Sequence, residues 1–268
     1  MPQPAIAVDF PLRGEWVAGN TPAERVPSHG TDQLGQRYAY DFLRIDRASR
    51  GWKFYRTPVL RSMLLGAALE DCYGWSAPMF APFSGVVITA EDGVPERNPV
   101  HMVRDLAIVI KNGLTFSPAR GSAALRPVLG NHLILRKDGT DVYAFFAHAR
   151  TGSIRVAAGQ RVHVGQELAQ VGHSGNSTAP HLHFHLMDGP DILKANGLPC
   201  CFREYEALRD AAGENAQQTV AHLGLNLGGG CRTDAPGFMK AHAACAIGLK
   251  SKTPSTTRRR ATTGFGNS

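Results

Sequence analysis

Residues 181–186, with the sequence HLHFHL, constrain the fold more than any other part of this 268-residue chain. Histidines and large apolar residues alternate there, and residues two apart point to the same face of a β-strand. The pattern predicts a strand with His181, His183 and His185 on one face and an apolar face in the core. Three adjacent imidazoles are costly to bury without partners, so we expect a metal ion or a groove beside them.

The rest of the chain favours a mainly β fold. The sequence has 29 Gly and 17 Pro residues, and its apolar segments are short, which is typical of many strands joined by turns. Residues 132–135 and 141–148 are predicted to pair as a hairpin closed by Asp138 and Gly139. Regularly spaced glycines from residue 152 onward predict further hairpins. We expect a curved antiparallel sheet with its site in a groove on the open face.

Other segments carry weaker patterns. Residues 36–42 alternate, which predicts a strand with Asp41 on its open face. A turn followed by a strand is predicted at 81–88, and helices are predicted around 63–69 and 204–212. Residues 91–130 read as an insertion with one or two irregular elements.

These patterns predict three parts: an extended N-terminal segment at 1–24, a main domain at 25–205 containing the insertion, and a C-terminal part at 206–268. The last part is expected to hold a helix and a disordered basic tail. Seven Lys and Arg residues against Asp234 alone give residues 225–268 a charge of +6 out of the total of +7. A run of three arginines does not by itself form a structure that recognises a particular nucleotide sequence, so no specific nucleic-acid partner is expected.

Location and cysteine usage follow from simple patterns. The chain has no apolar run of about 20 residues and no visible secretory signal, so we expect no transmembrane segment and a cytoplasmic location by sequence. Five cysteines contain no CxxC pair, which argues against a cysteine-based zinc ribbon and favours free thiols. The sequence does not disclose the oligomeric state.

A metal site needs ligands from outside the histidine strand. Catalytic zinc takes three protein ligands, drawn from nitrogen and oxygen donors, and leaves one position open. A further histidine and a carboxylate must come from a neighbouring element, and His29 and Asp41 fit these roles. Asp32 is the rival carboxylate, and Asp41 is preferred because it stands in a predicted strand.

The residues around these positions resemble a known family. Residues 175–184, GNSTAPHLHF, are similar to the terminal HxH motif of lysostaphin/LytM-type zinc peptidases. Residues 146–172 resemble the hairpin block that leads into that motif. Residues 28–31 and 38–41 are similar to the first metal motif, in a variant with a long gap between His and Asp.

The resemblance implies a fold, a metal and an activity. Zn²⁺ would be held by His29, Asp41 and His183, while His148 and His181 would contact the attacking water and the developing oxyanion. The implied reaction is hydrolysis of a peptide bond by a zinc-bound water. The implied substrate is a peptide of bacterial peptidoglycan, in cross-links or stems, which would place the substrate in the cell envelope.

Four other histidines have structural rather than catalytic interpretations. We expect His185 to support the site or line the groove. His132, His163 and His173 are expected to be ordinary surface or turn residues.

Two other functions stay open at this point. The first is a non-catalytic LytM-like domain that binds cell-wall material or activates another hydrolase. The second is a carrier or phosphohistidine domain, since such domains have the same regular spacing of glycines between short hairpins. No lysine lies between Lys137 and Lys194 for a biotinyl or lipoyl group, and a phosphohistidine role leaves His29 and Asp41 unexplained.

Overall fold

The computed structural model describes residues 4–46, 53–116, 121, 125–203, 206–208 and 248–250. The described chain is mainly β, as the sequence predicts. The strands are β1 Ile6–Val8, β2 Glu15–Asn20, β3 Tyr40–Leu43, β4 Pro78–Phe80, β5 Gly85–Glu91, β6 Asn131–Lys137, β7 Tyr143–Ala149, β8 Arg161–Val162, β9 Glu167–Gln170, β10 His181–Met187, β11 Gly197–Leu198, β12 Cys200–Phe202, β13 Glu206–Leu208 and β14 Gly248–Lys250. The helices are α1 Val59–Leu65, α2 Met102–Thr115 and α3 Arg126–Leu129, with 3-10 turns at Gln33–Tyr38 and Leu69–Asp71.

Most strands form one sheet with the order β13-β14-β2-β3-β10-β7-β6-β5-β8, and β11 pairs with the end of β10. Neighbouring strands in this sheet run antiparallel. Two small sheets pair β4 with β9 and β1 with β12. The histidine strand β10 is therefore central, flanked by β3 from early in the chain and by β7 from the predicted hairpin.

The two faces of β10 differ as the alternation predicts. Leu182, Phe184 and Leu186 are fully buried in the main core, where they pack with Phe42 of β3 and Phe146 of β7. His181, His183 and His185 lie on the other face. Burying these large apolar side chains stabilises the sheet by about 1.5–3 kcal/mol for each one.

The predicted hairpin between β6 and β7 is confirmed. Leu135 pairs with Ala144 in an antiparallel register, and the turn passes through Asp138 and Gly139. Gly139 has φ 67°, a left-handed conformation that glycine adopts without steric cost.

The predicted strand at 36–42 is wrong in its first half, where the 3-10 turn Gln33–Tyr38 precedes β3. Leu34 and Gly35 have φ values of 59° and 66°, which fold the chain over the end of β10. A Cβ on Gly35 would lie 3.2 Å from the side chain of Met187. Contact with β10, rather than local pattern, therefore sets where β3 begins.

The helices also depart from the sequence prediction. α1 begins about four residues earlier than predicted. It also ends about four residues earlier, because Gly66, with φ 80°, stops the helix. The insertion contains α2, a regular helix of 14 residues, in place of only irregular elements. Residues 206–208 form a strand where a helix was predicted; residues 204, 205 and 209–212 of that predicted helix lie outside the described residues.

The cysteines follow the prediction only in part. Cys72 and Cys200 are free and buried. Cys201 is disulfide-bonded, so the expectation of free thiols is wrong for this residue.

In the part of the chain that the structure describes, no helix has the length and apolarity needed to cross a bilayer.

Candidate metal centre

Asp41 and His183 meet because their strands are adjacent. The two residues are directly paired across β3 and β10, on the face opposite the core. His183 Nδ1 lies 2.9 Å from Asp41 Oδ1. Both side chains are about one-tenth exposed, so the pair is largely buried but still reaches the protein surface.

His29 joins this pair from the loop before β3. Its Nε2 lies 2.9 Å from Asp41 Oδ2, and its Nδ1 lies 3.0 Å from the Ser28 hydroxyl. Ser28 donates its hydroxyl proton to the Gln36 carbonyl, so its oxygen is free to accept from His29 Nδ1. That contact leaves Nε2 with its lone pair, which is the form of imidazole that binds a metal.

One ligand atom from each of His29, Asp41 and His183 lies within 4.8 Å of the other two. The structure thus brings together the three residues that the sequence singled out. Two imidazole nitrogens and one carboxylate oxygen form the donor set that zinc uses in hydrolytic sites with an open fourth position. Asp32, the rival carboxylate, is exposed and hydrogen-bonded to Arg37 at 2.7 Å, away from the centre.

His185 supports His183 from behind. His183 Nε2 lies 3.2 Å from His185 Nδ1. A metal on His183 Nδ1 requires the proton to be on Nε2, and His185 Nδ1 is placed to accept that proton's hydrogen bond. His185 is only 1% exposed, so it cannot contact a substrate. Its position agrees with the prediction of a supporting role.

The carboxylate is held in its charged form. Burial raises the pKa of Asp41, but nearby His181 and the close contacts with His183 and His29 outweigh burial and bring that pKa well below its ordinary value. Burial lowers the pKa of His183 and of His185. An ionised carboxylate beside neutral imidazoles suits a cation.

His148 reaches this face through a β-bulge. Strict alternation along β7 would point His148 into the core, since Ala147 is paired with His183 on the site face. The register between β6 and β7 shifts at this point, and His148 has φ 64°. The bulge turns His148 toward the site, where its ring centroid lies 4.7 Å from that of His181.

His148 and His181 share one hydrogen-bonding arrangement. His148 Nδ1 is 2.9 Å from the Ser174 carbonyl, and His181 Nδ1 is 2.7 Å from the Ala179 carbonyl. A carbonyl only accepts, so each Nδ1 carries a proton and donates. In its neutral form each ring then has its lone pair on Nε2; for His181 this atom is 3.6 Å from Asp41 Oδ1. Burial lowers the pKa of His148 well below its ordinary value.

Several residues of the site carried no usable sequence signal. Asn20 donates from Nδ2 to Asp41 Oδ2 at 2.6 Å and so orients the carboxylate from β2. Ser28, beside His29, could have been suspected only from its adjacency.

His173 was expected to be an ordinary surface or turn residue, which is wrong: it is fully buried and 3.1 Å from Asp105. His163 is exposed, as expected, while His132 is half-buried and contacts the Gly130 carbonyl.

Fold and site together define a mainly β domain in which two histidines and a carboxylate converge as a candidate metal centre, with two further histidines beside it. Residues 119–194 match the model of peptidase family M23. The match includes His148, His181 and His183 and confirms the resemblance to lysostaphin/LytM-type peptidases that the HxH motif indicates. His29 and Asp41 lie outside the matched residues.

Several solved structures are similar to this chain, including the following three. The catalytic domain of the prophage-encoded M23 protein EnpA from Enterococcus faecalis is 17% identical, over 59% of this chain and 84% of that chain, with a TM-score of 0.30. The catalytic domain of the antimicrobial peptidase lysostaphin from Staphylococcus simulans is 20% identical, over 55% and 86%, with a TM-score of 0.29. A zinc containing peptidase from Vibrio cholerae is 20% identical, over 66% and 41%, with a TM-score of 0.28. At these identities and TM-scores no residue role is carried over to this chain.

Proposed function

We propose that this protein is a zinc-dependent endopeptidase that hydrolyses peptide bonds in the cross-links or stems of bacterial peptidoglycan. The observation that carries the proposal is the convergence of His29, Asp41 and His183, with one ligand atom from each within 4.8 Å of the others. The match of residues 119–194 to peptidase family M23 supports the reaction class.

The donor set supports zinc in particular. His29 would bind through Nε2 and His183 through Nδ1, because the other nitrogen of each ring has its own partner in Ser28 or His185. Asp41 would supply a carboxylate oxygen, held in place by Asn20. Zinc bound there would acidify a water molecule and polarise the scissile carbonyl.

His148 and His181 supply the proton chemistry. In its neutral form each ring has its Nε2 lone pair available, so one ring can accept a proton from the attacking water. A protonated ring can then donate a hydrogen bond to the carbonyl oxygen as negative charge develops on it, or pass its proton to the leaving amine. Both residues retain a small exposed fraction, 7% for His148 and 8% for His181, so a substrate can contact them.

The substrate class rests on similarity. Lysostaphin, one of the similar solved structures, is described as an antimicrobial peptidase, and the sequence motifs resemble peptidoglycan endopeptidases. For a substrate in the envelope, we propose that the protein acts there, at the peptides that join or extend glycan strands.

The test combines metal analysis with mapping of cleavage sites. We expect purified protein to bind zinc with one-to-one stoichiometry and to release new amino termini from purified peptidoglycan or a soluble cross-linked muropeptide. Zinc binding without cleavage of any peptide bond would favour the non-catalytic domain that binds the wall or activates another hydrolase. No zinc binding at all would refute the metal centre, and with it the enzymatic proposal.

A further inference from the structure

The loop at residues 174–179 connects the two candidate catalytic histidines. The Ser174 carbonyl accepts from His148 Nδ1, and the Ala179 carbonyl accepts from His181 Nδ1. These two bonds set which ring nitrogen carries the proton and hold the orientation of each ring. The position of this one loop therefore decides the state of both histidines.

Arg97 holds this loop from the insertion between β5 and β6. Its Nη1 donates to the Gly175 carbonyl at 2.8 Å and its Nη2 donates to the Ser177 carbonyl at 2.7 Å. A guanidinium has the forked geometry to serve two carbonyls at once, which a lysine ammonium lacks. Both carbonyls lie between Ser174 and Ala179, the residues that orient the histidines.

Asp105 on α2 fixes Arg97 in turn. Its Oδ1 accepts from Arg97 Nε at 2.7 Å, and its Oδ2 lies 3.1 Å from His173 Nε2. His173 Nδ1 is 2.9 Å from the Ser177 hydroxyl, which donates to the Ala179 carbonyl at 2.6 Å. Asp105 thus reaches the loop by two routes, one through Arg97 and one through His173.

This network is largely buried, and its carboxylate pairs with both Arg97 and Arg104. Asp105, His173 and Ser177 are fully buried. Burial raises the pKa of Asp105, but hydrogen bonds from His173 and Arg97 outweigh burial and bring that pKa well below its ordinary value. A buried ion pair with further hydrogen bonds gives a single well-defined arrangement of the groups that it joins.

The geometry points to Arg97 and Asp105 as positioning residues that hold His148 and His181 in their reactive tautomer and orientation through the 174–179 loop. The inference rests on the proposed peptidase function and names the part of the insertion that serves it. Neither residue touches a substrate; each acts through the loop and the two histidines.

The test compares Arg97→Lys and Asp105→Asn with the wild type and with Arg161→Lys. Arg161 forms an Arg–Asp pair with Asp138 at the same distance, 2.7 Å, but the pair is exposed, so it is a matched control. We expect kcat on a cross-linked muropeptide to fall about 100-fold in the two test variants, because small misplacements of catalytic groups have effects of that size. KM and zinc content should stay at wild-type values, and Arg161→Lys should match the wild type throughout.

A second readout does not depend on activity. The ¹⁵N chemical shifts of the histidine rings distinguish a protonated Nδ1 from a protonated Nε2. In the wild type we expect protonated Nδ1 in both His148 and His181, and in Arg97→Lys and Asp105→Asn a mixture of the two tautomers. Wild-type tautomers in both test variants would overturn the proposal, even if their activity fell.

The two proposals can fail separately. If the wild type cleaves no peptide bond, the peptidase function fails, while the ring ¹⁵N shifts still decide the positioning role. Arg97→Lys retains the positive charge beside Asp105, so its fold is expected to survive even if Asp105→Asn unfolds. Wild-type kcat in folded Arg97→Lys would refute the role of Arg97.

Discussion

Asp41 on β3 and His183 on β10 are directly paired across the antiparallel sheet, with 2.9 Å between Oδ1 and Nδ1, although 142 positions separate them in the chain. The pairing register brings a carboxylate and an imidazole to one point on the face opposite the core. Every proposal about the metal centre depends on this register, and the predictions below test its consequences.

The first prediction separates metal binding from turnover. His183→Ala removes a ligand, so we expect loss of both zinc and activity. His181→Ala leaves the three ligands in place, so zinc content should remain near the wild-type value while kcat falls by about 10²–10⁴-fold, the usual contribution of a general acid or base. Zinc content by mass spectrometry and kcat on a muropeptide are the measurements. Full activity of His181→Ala would show that its assigned role is wrong.

The second prediction concerns Asn20, which donates to Asp41 Oδ2 at 2.6 Å. Asn20→Ala should lower zinc affinity by about 10–100-fold, because partners that orient metal ligands have effects of that size. Competition with a chromogenic chelator measures the affinity. Asn196→Ala is the matched control, since Asn196 makes a similar bond to Asp188 at 2.8 Å on an exposed part of the chain; equal affinities in the two variants would contradict the role of Asn20.

The third prediction concerns the support of His183 by His185. His185→Ala removes the group 3.2 Å from His183 Nε2, so zinc affinity should fall by about 10–100-fold. His185→Asn places an amide oxygen near the position of the lost Nδ1, and it should retain more affinity than the alanine variant. The same loss in both variants, measured by chelator competition, would indicate that packing rather than the hydrogen bond is what His185 contributes.

The fourth prediction is a pH dependence of stability. The pKa of Asp105 in the folded protein lies well below its ordinary value, so Asp105 stabilises the fold above about pH 4 and loses this contribution as the pH falls further. At pH 6 Asp105→Asn should lower the free energy of unfolding by about 3 kcal/mol, since it removes the buried carboxylate that pairs with Arg97 and Arg104. The gap to the wild type should narrow at pH 3.

Urea unfolding measures this gap. A chelator is present throughout, so that the protein is metal-free and zinc does not contribute to its stability. Asp138→Asn, in an exposed ion pair, should change stability by no more than about 0.5 kcal/mol at either pH. A pH-independent gap for Asp105→Asn would show that the amide's mismatch with the surrounding hydrogen-bond donors, not the lost charge, is responsible.

The fifth prediction compares two glycines with positive φ. Gly175 has φ 66°, and a Cβ there would lie 2.4 Å from Gly130 N, whereas Gly152 has φ 73° and open space around it. Gly152→Ala should cost only the backbone strain, about 1–2 kcal/mol. Gly175→Ala should cost more and should also displace the loop that orients His148 and His181, so kcat should fall as well. Equal thermal midpoints and equal kcat for the two variants would contradict this account.

Local pattern predicted a large part of the architecture. The alternation in residues 181–186 correctly assigned the core face and the histidine face of β10, because side chains in a strand alternate with a period of two. The hairpin of β6 and β7 followed from its turn residues in the same way. The error at residues 36–39 arose because contact of Gly35 with Met187 on β10 outweighs a local alternating pattern.

The insertion shows what local pattern could not supply. Asp105 is fully buried at the centre of a network that joins α2 to the 174–179 loop. An isolated Asp–Arg pair in a polar segment carries no sequence signal for burial, since acids and arginines are mostly exposed. Its role depends on residues about 70 positions later, His173 and Ser177, whose proximity only the folded chain reveals.

By itself the sequence determined the β architecture, the faces of the histidine strand and the residue types able to bind a metal, because these follow from periodicity and donor chemistry. Only the tertiary structure decided that Asp41 pairs with His183 and that a bulge turns His148 out of the core direction that strict strand alternation would give it. Strand register and a β-bulge are properties of two chain segments together, so neither can be read from one segment alone.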